Sequence, residues 1–251
     1  MSPRYSIIVP AFNEEGWLAK SLPAIHRAMG AVDKSGELIV VDNNSTDTTA
    51  LVAERYGAKM VFEPINQISR SRNAGAQIAQ GAYLVFVDAD TLITADLLKT
   101  ALANLEGGTC CGGGALVRFE TSCPWHAQKL AGFWNWIAST LGYAAGSFVY
   151  CLRDGFDAVG GFSEKVYASE EVWLSRDLQR WGRKRELRFC IITDHHVTTS
   201  ARKLDQPIRN TLGLLLVLLF PPAIFFRHLC FPWYQRREIT SAINGCQCKD
   251  G

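Results

Sequence analysis

The sequence predicts an α/β chain built on a mainly parallel, doubly wound sheet, and three observations predict it. Apolar runs that read as strands alternate with segments of helical period through the first half of the chain. Those runs are apolar throughout rather than alternating, as suits strands covered on both faces by crossover helices. Polar clusters follow three of them, where the ligands of such sheets sit.

Ser6-Ile7-Ile8-Val9-Pro10 is a β-branched run ended by proline, after which Leu18, Leu22, Ile25 and Met29 recur at helical spacing. Glu37 to Asp42 is a second strand. Asn43-Asn44-Ser45-Thr46-Asp47 then supplies cap and turn formers that open a helix ending near Gly57. A short strand fits Lys59 to Phe62, a helix fits Ser69 to Gln80 with Gly81 as its stop, and Ala82 to Val87 is a fourth strand running into Asp88. Beyond it, Gly107-Gly108 and Gly112-Gly113-Gly114 bracket a turn before a strand over Ala115 to Glu120, and Trp125 to Tyr143 is long enough for an aromatic-rich helix. Arg153-Asp154-Gly155-Phe156 is expected as a loop and Gly160-Gly161-Phe162 as a turn. A helix over about Ser169 to Trp181 and a strand over about Leu187 to Thr193 follow.

Two units are expected: a domain over 1–200, with a ligand-binding half (1–110) and an acceptor half (111–200), and an apolar and basic appendage over 201–251. At 48% hydrophobic and 20% charged residues the chain is globular rather than disordered, and its formal net charge of +2 argues against nucleic acid as a partner. Eight cysteines form no paired CxxC knuckles, and Cys110-Cys111 is expected reduced and buried. Leu212 to Phe226 is nearly unbroken apolar sequence but shorter than a bilayer span. With Arg209 before it and Trp233, Tyr234, Arg236 and Arg237 after, it suits either a helix in the membrane interface or a contact with the core or a second subunit through 209–237. The segment ahead of the first strand is too short for a signal-peptide core, so the expected location is cytoplasmic, at a membrane face if the tail docks there.

The chemistry concentrates at three strand ends: Phe12-Asn13-Glu14, Asp42 to Asp47, and Asp88-Ala89-Asp90. Continued strand alternation would put the Asp88 and Asp90 carboxylates on one side, about 7 Å apart, able to serve one ion. Mg²⁺ or Mn²⁺ takes oxygen ligands and shares its shell with phosphates, so the pair suits a diphosphate substrate. Asp42 can accept a hydrogen bond from a nucleobase N–H or simply cap the next helix. Arg70 and Arg72 can reach a diphosphate or pair with neighbouring carboxylates.

Ser6 to Glu15, Val40 to Asp47, Arg72-Asn73-Ala74-Gly75 and Phe86-Val87-Asp88-Ala89-Asp90 resemble, in order and spacing, the family 2 glycosyltransferases of GT-A fold. The resemblance covers residues 5 to 200, more loosely after Thr91. It implies an inverting transferase that takes sugar from a UDP- or GDP-linked donor to a carbohydrate or lipid-linked acceptor. Pro10, Phe12, Asn13, Glu14 and Asp42 would hold base and ribose, Arg72 would lie near the diphosphate, and Asp88, Ala89 and Asp90 would serve ribose and metal, with Asp90 the direct ligand. It also implies an acidic pair after the Gly-Gly-Phe turn: Glu170 precedes Glu171, which stands as general base where the family usually has Asp. His195 or His196 would complete the metal shell, and Arg202 or Lys203 would close over the diphosphate. Two alternatives stay open: a nucleotidyltransferase, disfavoured by the acidic first loop, and a catalytically weak binding or scaffold protein of the same fold.

Overall fold

The structure is a computed structural model and describes residues 2–120, 125–200 and 224–230. Strands and helices alternate as β1 (Tyr5–Ala11), α1 (Glu15–Gly30), β2 (Gly36–Asp42), α2 (Thr49–Arg55), β3 (Lys59–Phe62), α3 (Ile68–Ile78) and β4 (Tyr83–Val87). There follow β5 (Thr91–Leu92), α4 (Ala95–Glu106), β6 (Cys110–Phe119), α5 (Trp125–Leu141), β7 (Phe148–Leu152), α6 (Arg153–Val159), α7 (Glu170–Arg183) and β8 (Arg188–Thr199). A 3₁₀ turn at Arg227–Cys230 packs beside the loop that precedes α7.

The sheet runs in the order β3-β2-β1-β4-β7-β6-β8-β5. The β3-β2-β1-β4 half is parallel, as expected. Both its faces are covered: Ile7, Val9, Val85 and Val87 join the core cluster under α1 and α4, while Ile8, Leu84 and Phe86 join the cluster under α3, α6 and α7. That two-sided burial explains the unbroken apolar runs. β1 continues past Pro10. Its pairs with β2 reach Ala11↔Asp42 while those with β4 stop at Ile8↔Phe86, so the proline stands where β1 has only one neighbour.

The second half departs from the sequence reading in four places. β7 is an antiparallel strand inserted between β4 and β6, where no strand is expected. Gly112, Gly113 and Gly114 lie inside β6 and do not form a turn; a Cβ at Gly113 would fall 1.8 Å from the Cys190 carbonyl oxygen and 2.5 Å from the Tyr150 hydroxyl. The glycines are there because β6 is squeezed between β7 and β8. Arg153 to Phe156 is the first turn of α6, since Arg153 spends its Nε on the Gly81 carbonyl (2.8 Å) and locks the chain directly after β7. β8 runs on to Thr199, with a register shift that leaves residues 193–195 without partners on β6.

The histidines therefore lie within a strand and not in a loop after one. No helix among the described residues is long and apolar enough to cross a membrane. Most of the 201–251 appendage, with Arg202, Lys203, Cys246, Cys248 and the larger part of 209–237, lies outside the described residues.

Candidate active site

The carboxyl ends of β1, β2 and β4 converge, and side-chain bonds to backbone lock their loops. Asn13 takes a left-handed conformation (φ 52°), which asparagine tolerates better than most residues. Its N–H donates to the Ser45 hydroxyl (3.0 Å), and its side-chain oxygen accepts from the Thr46 N–H (2.8 Å). The Glu14 N–H donates to Thr49 Oγ1 (2.8 Å), and Asp42 Oδ1 accepts from the Ser45 N–H (3.0 Å). Asn43 ties the β2 end to the next strand's exit, donating to the Glu63 and Ile65 carbonyls at 3.0 and 2.7 Å. The polar cluster after β2 is thus a capping structure and a loop brace at once, with Asp42 held half-buried at its rim.

Asp88-Ala89-Asp90 does not continue β4. The strand ends at Val87 and the triplet forms a tight turn closed by the Thr91 N–H on the Asp88 carbonyl (3.0 Å). Turn geometry, not strand rise, sets the relation of the two carboxylates. Ala89 is buried, Asp90 is 3% exposed, and the Asp90 carbonyl accepts from the Ser200 N–H just beyond β8 (3.3 Å).

A buried guanidinium joins this turn to α7. Arg72 on α3 is 1% exposed and donates to Glu170 Oε1 (2.6 Å), Asp88 Oδ1 (2.7 Å) and the Gly146 carbonyl (2.7 Å), with the Phe162 ring 5.0 Å beneath it. Burial alone would depress it, but the carboxylates of Asp88 and Glu170 raise it net above its ordinary range and keep it charged. Arg72 is therefore next to the site but enclosed, its charge spent on protein carboxylates. Arg70 is likewise engaged, by Glu63 (3.1 Å) and Glu164 (2.8 Å).

The two glutamates at the start of α7 differ in environment. Glu170 is buried against Arg72. Glu171 is partly exposed, and its carboxyl carbon would lie 3.5 Å from a Cβ placed on Gly146. Burial, then the neighbouring negative charge of Glu170, pushes the Glu171 carboxyl up to about 8, with Arg72 pulling the other way.

The sequence reading missed what holds α7 in place. Asn73 pairs with the backbone of Phe162 in both directions, donating to its carbonyl and accepting from its N–H at 2.9 Å each. Gln67 donates to the Glu164 and Val166 carbonyls at 2.8 and 3.0 Å. The loop between Gly160 and Ser169 thus hangs on α3, the helix that carries Arg72. Gly146 and Ser147, at the foot of the unexpected β7, add two backbone contacts: Gly146 to Arg72, and Ser147 to the Asp88 N–H (3.2 Å).

The structure does not bring the histidines to the aspartates. Ser200 is the β8-side residue at Asp90, and His196 pairs opposite Leu116 four residues earlier, roughly 13 Å away at strand rise. No cluster of three or more His, Cys, Asp or Glu able to hold a metal forms among the described residues. The oxygen-only pair Asp88 and Asp90 remains, which fits a hard divalent ion that completes its shell with substrate phosphate and water.

Comparison with known proteins agrees with this architecture. Among solved structures, the fold matches the mannosyltransferase PcManGT from Pyrobaculum calidifontis, crystallised with GDP-Man and Mn²⁺ (TM-score 0.67, 20% identity, 92% of this chain and 70% of that one). It also matches glucosyl-3-phosphoglycerate synthase from Mycobacterium tuberculosis (TM-score 0.60, 19% identity, 86% and 79%). In sequence, the chain is 37% identical over 103 residues to an uncharacterised glycosyltransferase of Mycobacterium tuberculosis, covering 41% of this chain and 44% of that protein. It is 29% identical over 110 residues to the Staphylococcus aureus poly(ribitol-phosphate) β-N-acetylglucosaminyltransferase TarS, covering 41% and 19%. The chain thus spans less than half the length of these curated relatives. The family model described as glycosyl transferase family 2 matches residues 6–172, two thirds of the chain and every element of the site from β1 to Glu171, and the chain belongs to that family.

Proposed function

We propose that the protein transfers a sugar from a nucleoside-diphosphate donor, UDP- or GDP-linked, to an acceptor hydroxyl with inversion at the anomeric carbon. The observation that carries this reading is the Arg72 node. One buried cation binds Asp88, at the end of β4, and Glu170, at the start of α7, so Glu171 follows directly on a residue that the cation holds. Structures of the same fold were crystallised with GDP-Man and Mn²⁺, with UDP-GlcNAc, and with UDP and Mn²⁺, which supports a nucleotide-sugar donor here.

In this reading the base and ribose lie over Pro10, Phe12, Asn13, Glu14 and Asp42, whose loops are already locked and cost little ordering on binding. Asp90, with Asp88, would hold Mg²⁺ or Mn²⁺, which supplies charge stabilisation to the departing diphosphate. Asp88 gives one oxygen to Arg72 and is thereby oriented by it. Glu171 accepts the proton of the acceptor hydroxyl. Its raised affinity for protons makes it a stronger base than an ordinary carboxylate, and Glu170, committed to Arg72, is the residue that holds it in position. The extra methylene relative to Asp is accommodated by the missing side chain at Gly146.

Calorimetric binding of UDP and GDP, with and without Mn²⁺, to the wild type and to Asp90→Ala tests the donor site. The expected result is metal-dependent binding of one nucleotide that the substitution abolishes. Tight binding indifferent to metal and substitution would remove the metal assignment.

A further inference from the structure

We propose that the solvent face of α7, together with the aromatic turn at 225–228, is a surface that docks on an anionic lipid bilayer, with a lipid phosphate seated in the cleft between α6 and α7. The proposal stands apart from the transferase reading, since none of its residues belongs to the site described above.

Trp173, Arg176, Arg180 and Lys184 recur at three, four and four residues, so they share one face of α7. The first-turn end of that face is aromatic. Trp173 is 38% exposed, and Phe225 and Phe226 are 46% and 49% exposed; the Trp173 and Phe225 rings meet edge to face at 6.5 Å. The turn that presents the phenylalanines is anchored, not loose. Ile224 and Cys230 pack with Val166 and Ala168, and the Ile224 carbonyl accepts from the Tyr167 N–H (2.7 Å). Ile224 and Cys230 point in while Phe225 and Phe226 point out, and two adjacent exposed phenylalanines are not what burial alone would select.

Toward the other end the face turns cationic. A cleft of about 510 Å³ between α6 and α7 is lined by Arg180, Lys184 and Arg185, with Asp177 the one acid among its described lining residues. Asp177 offsets only Arg180, at 3.2 Å, and both are largely exposed. Trp181 forms part of the wall, stacked under Arg185 at 4.3 Å; its indole N–H is buried and has no hydrogen-bond partner among the described residues. Lys184 and Arg185, with no acid paired to them among the described residues, suit a phosphate.

Large exposed aromatics beside a row of cations are the composition of a surface that lies in a headgroup layer, rings among the acyl boundary and cations on phosphate. A soluble anion would account for the cleft but not for three exposed rings. Because Glu171 lies two residues before Trp173, such docking brings the first turn of α7 to the bilayer.

The test is co-sedimentation of the full chain with vesicles of phosphatidylcholine alone or mixed in equal parts with phosphatidylglycerol, at low and high salt. The expected result is salt-sensitive binding to the mixed vesicles only, and a partition coefficient about thirtyfold lower for Lys184→Gln/Arg185→Gln, from ~1 kcal/mol per cation near the surface. Phe225→Ser/Phe226→Ser should weaken binding as well, while the far-UV circular dichroism and thermal melt of both double variants stay at the wild-type level and show them folded. Wild-type protein left in the supernatant with phosphatidylglycerol would overturn the proposal. So would a glutamine pair that binds like wild type, which would move any membrane contact elsewhere on the chain. Lipid-independent self-association abolished by the same pair would give the face to a second copy instead.

Discussion

Replacing Glu171 with glutamine keeps its shape and removes its ability to take a proton. Its carboxyl titrates near 8, so about a tenth is ionised at pH 7 and about nine tenths at pH 9. If it is the base, wild-type turnover at saturating donor falls about tenfold per unit below pH 8 and levels off above it. Glu171→Gln loses roughly 10²- to 10⁴-fold and becomes flat over that range. Stability moves the opposite way. A carboxyl with a raised native pKa binds more protons folded than unfolded between about 4.5 and 8, so its contribution is complete below 4.5 and is lost as pH rises through 8. Each unit is worth at most ~1.4 kcal/mol, reduced by the partial exposure of the side chain, so the loss by pH 9 is on the order of 1–3 kcal/mol. Glutamine escapes it and should melt higher than wild type at pH 9 while being nearly inactive. The assays are nucleoside diphosphate release from pH 6 to 9.5 and thermal melts over the same range. A wild-type rate independent of pH, or a glutamine variant within threefold of wild type, would refute Glu171 as the base.

Other substitutions probe the frame around it. Arg72→Ala leaves Glu170 and Asp88 facing each other without their cation and should cost ~3–5 kcal/mol in urea unfolding; Arg72→Lys, unable to reach three acceptors from one fork, should recover only part of this. Gly146→Ala sets a methyl 3.2 Å from Arg72 and against Glu171, and is expected to lower kcat more than tenfold with a stability loss of about 1–3 kcal/mol, read by the same rate and melting assays. Asn73→Ala breaks both bonds to Phe162 and should lower kcat with little change in nucleotide affinity by calorimetry, since the loop it holds leads to α7 and not to the nucleotide loops.

The parallel half of the sheet was legible because each strand there is buried on both faces and its connection is local. β1 to β4 were found within a residue or two, and the helix signal of Leu18, Leu22 and Ile25 matched the buried face of α1. β7 was missed although Phe148 to Leu152 is an unbroken apolar run, because five residues of that kind fit a strand or a helix end equally well. The glycine triplet misled for a related reason. Glycine marks turns by conformation, but here it marks a strand too crowded for any side chain.

The site divides in the same way. Residue types at strand ends, the Asp88-Ala89-Asp90 triplet and the Glu170-Glu171 pair, were determined by local sequence, as was the family they belong to. Their division of labour was not. Which carboxylates each arginine pairs with, which of the two glutamates is bound to Arg72, and where the histidines fall relative to the aspartates all depend on contacts between positions some 16 to 98 residues apart. Pattern along a chain reports burial and turn chemistry, because those are properties of neighbours. Charge pairing in a low-dielectric interior is set by distances that only the folded chain creates.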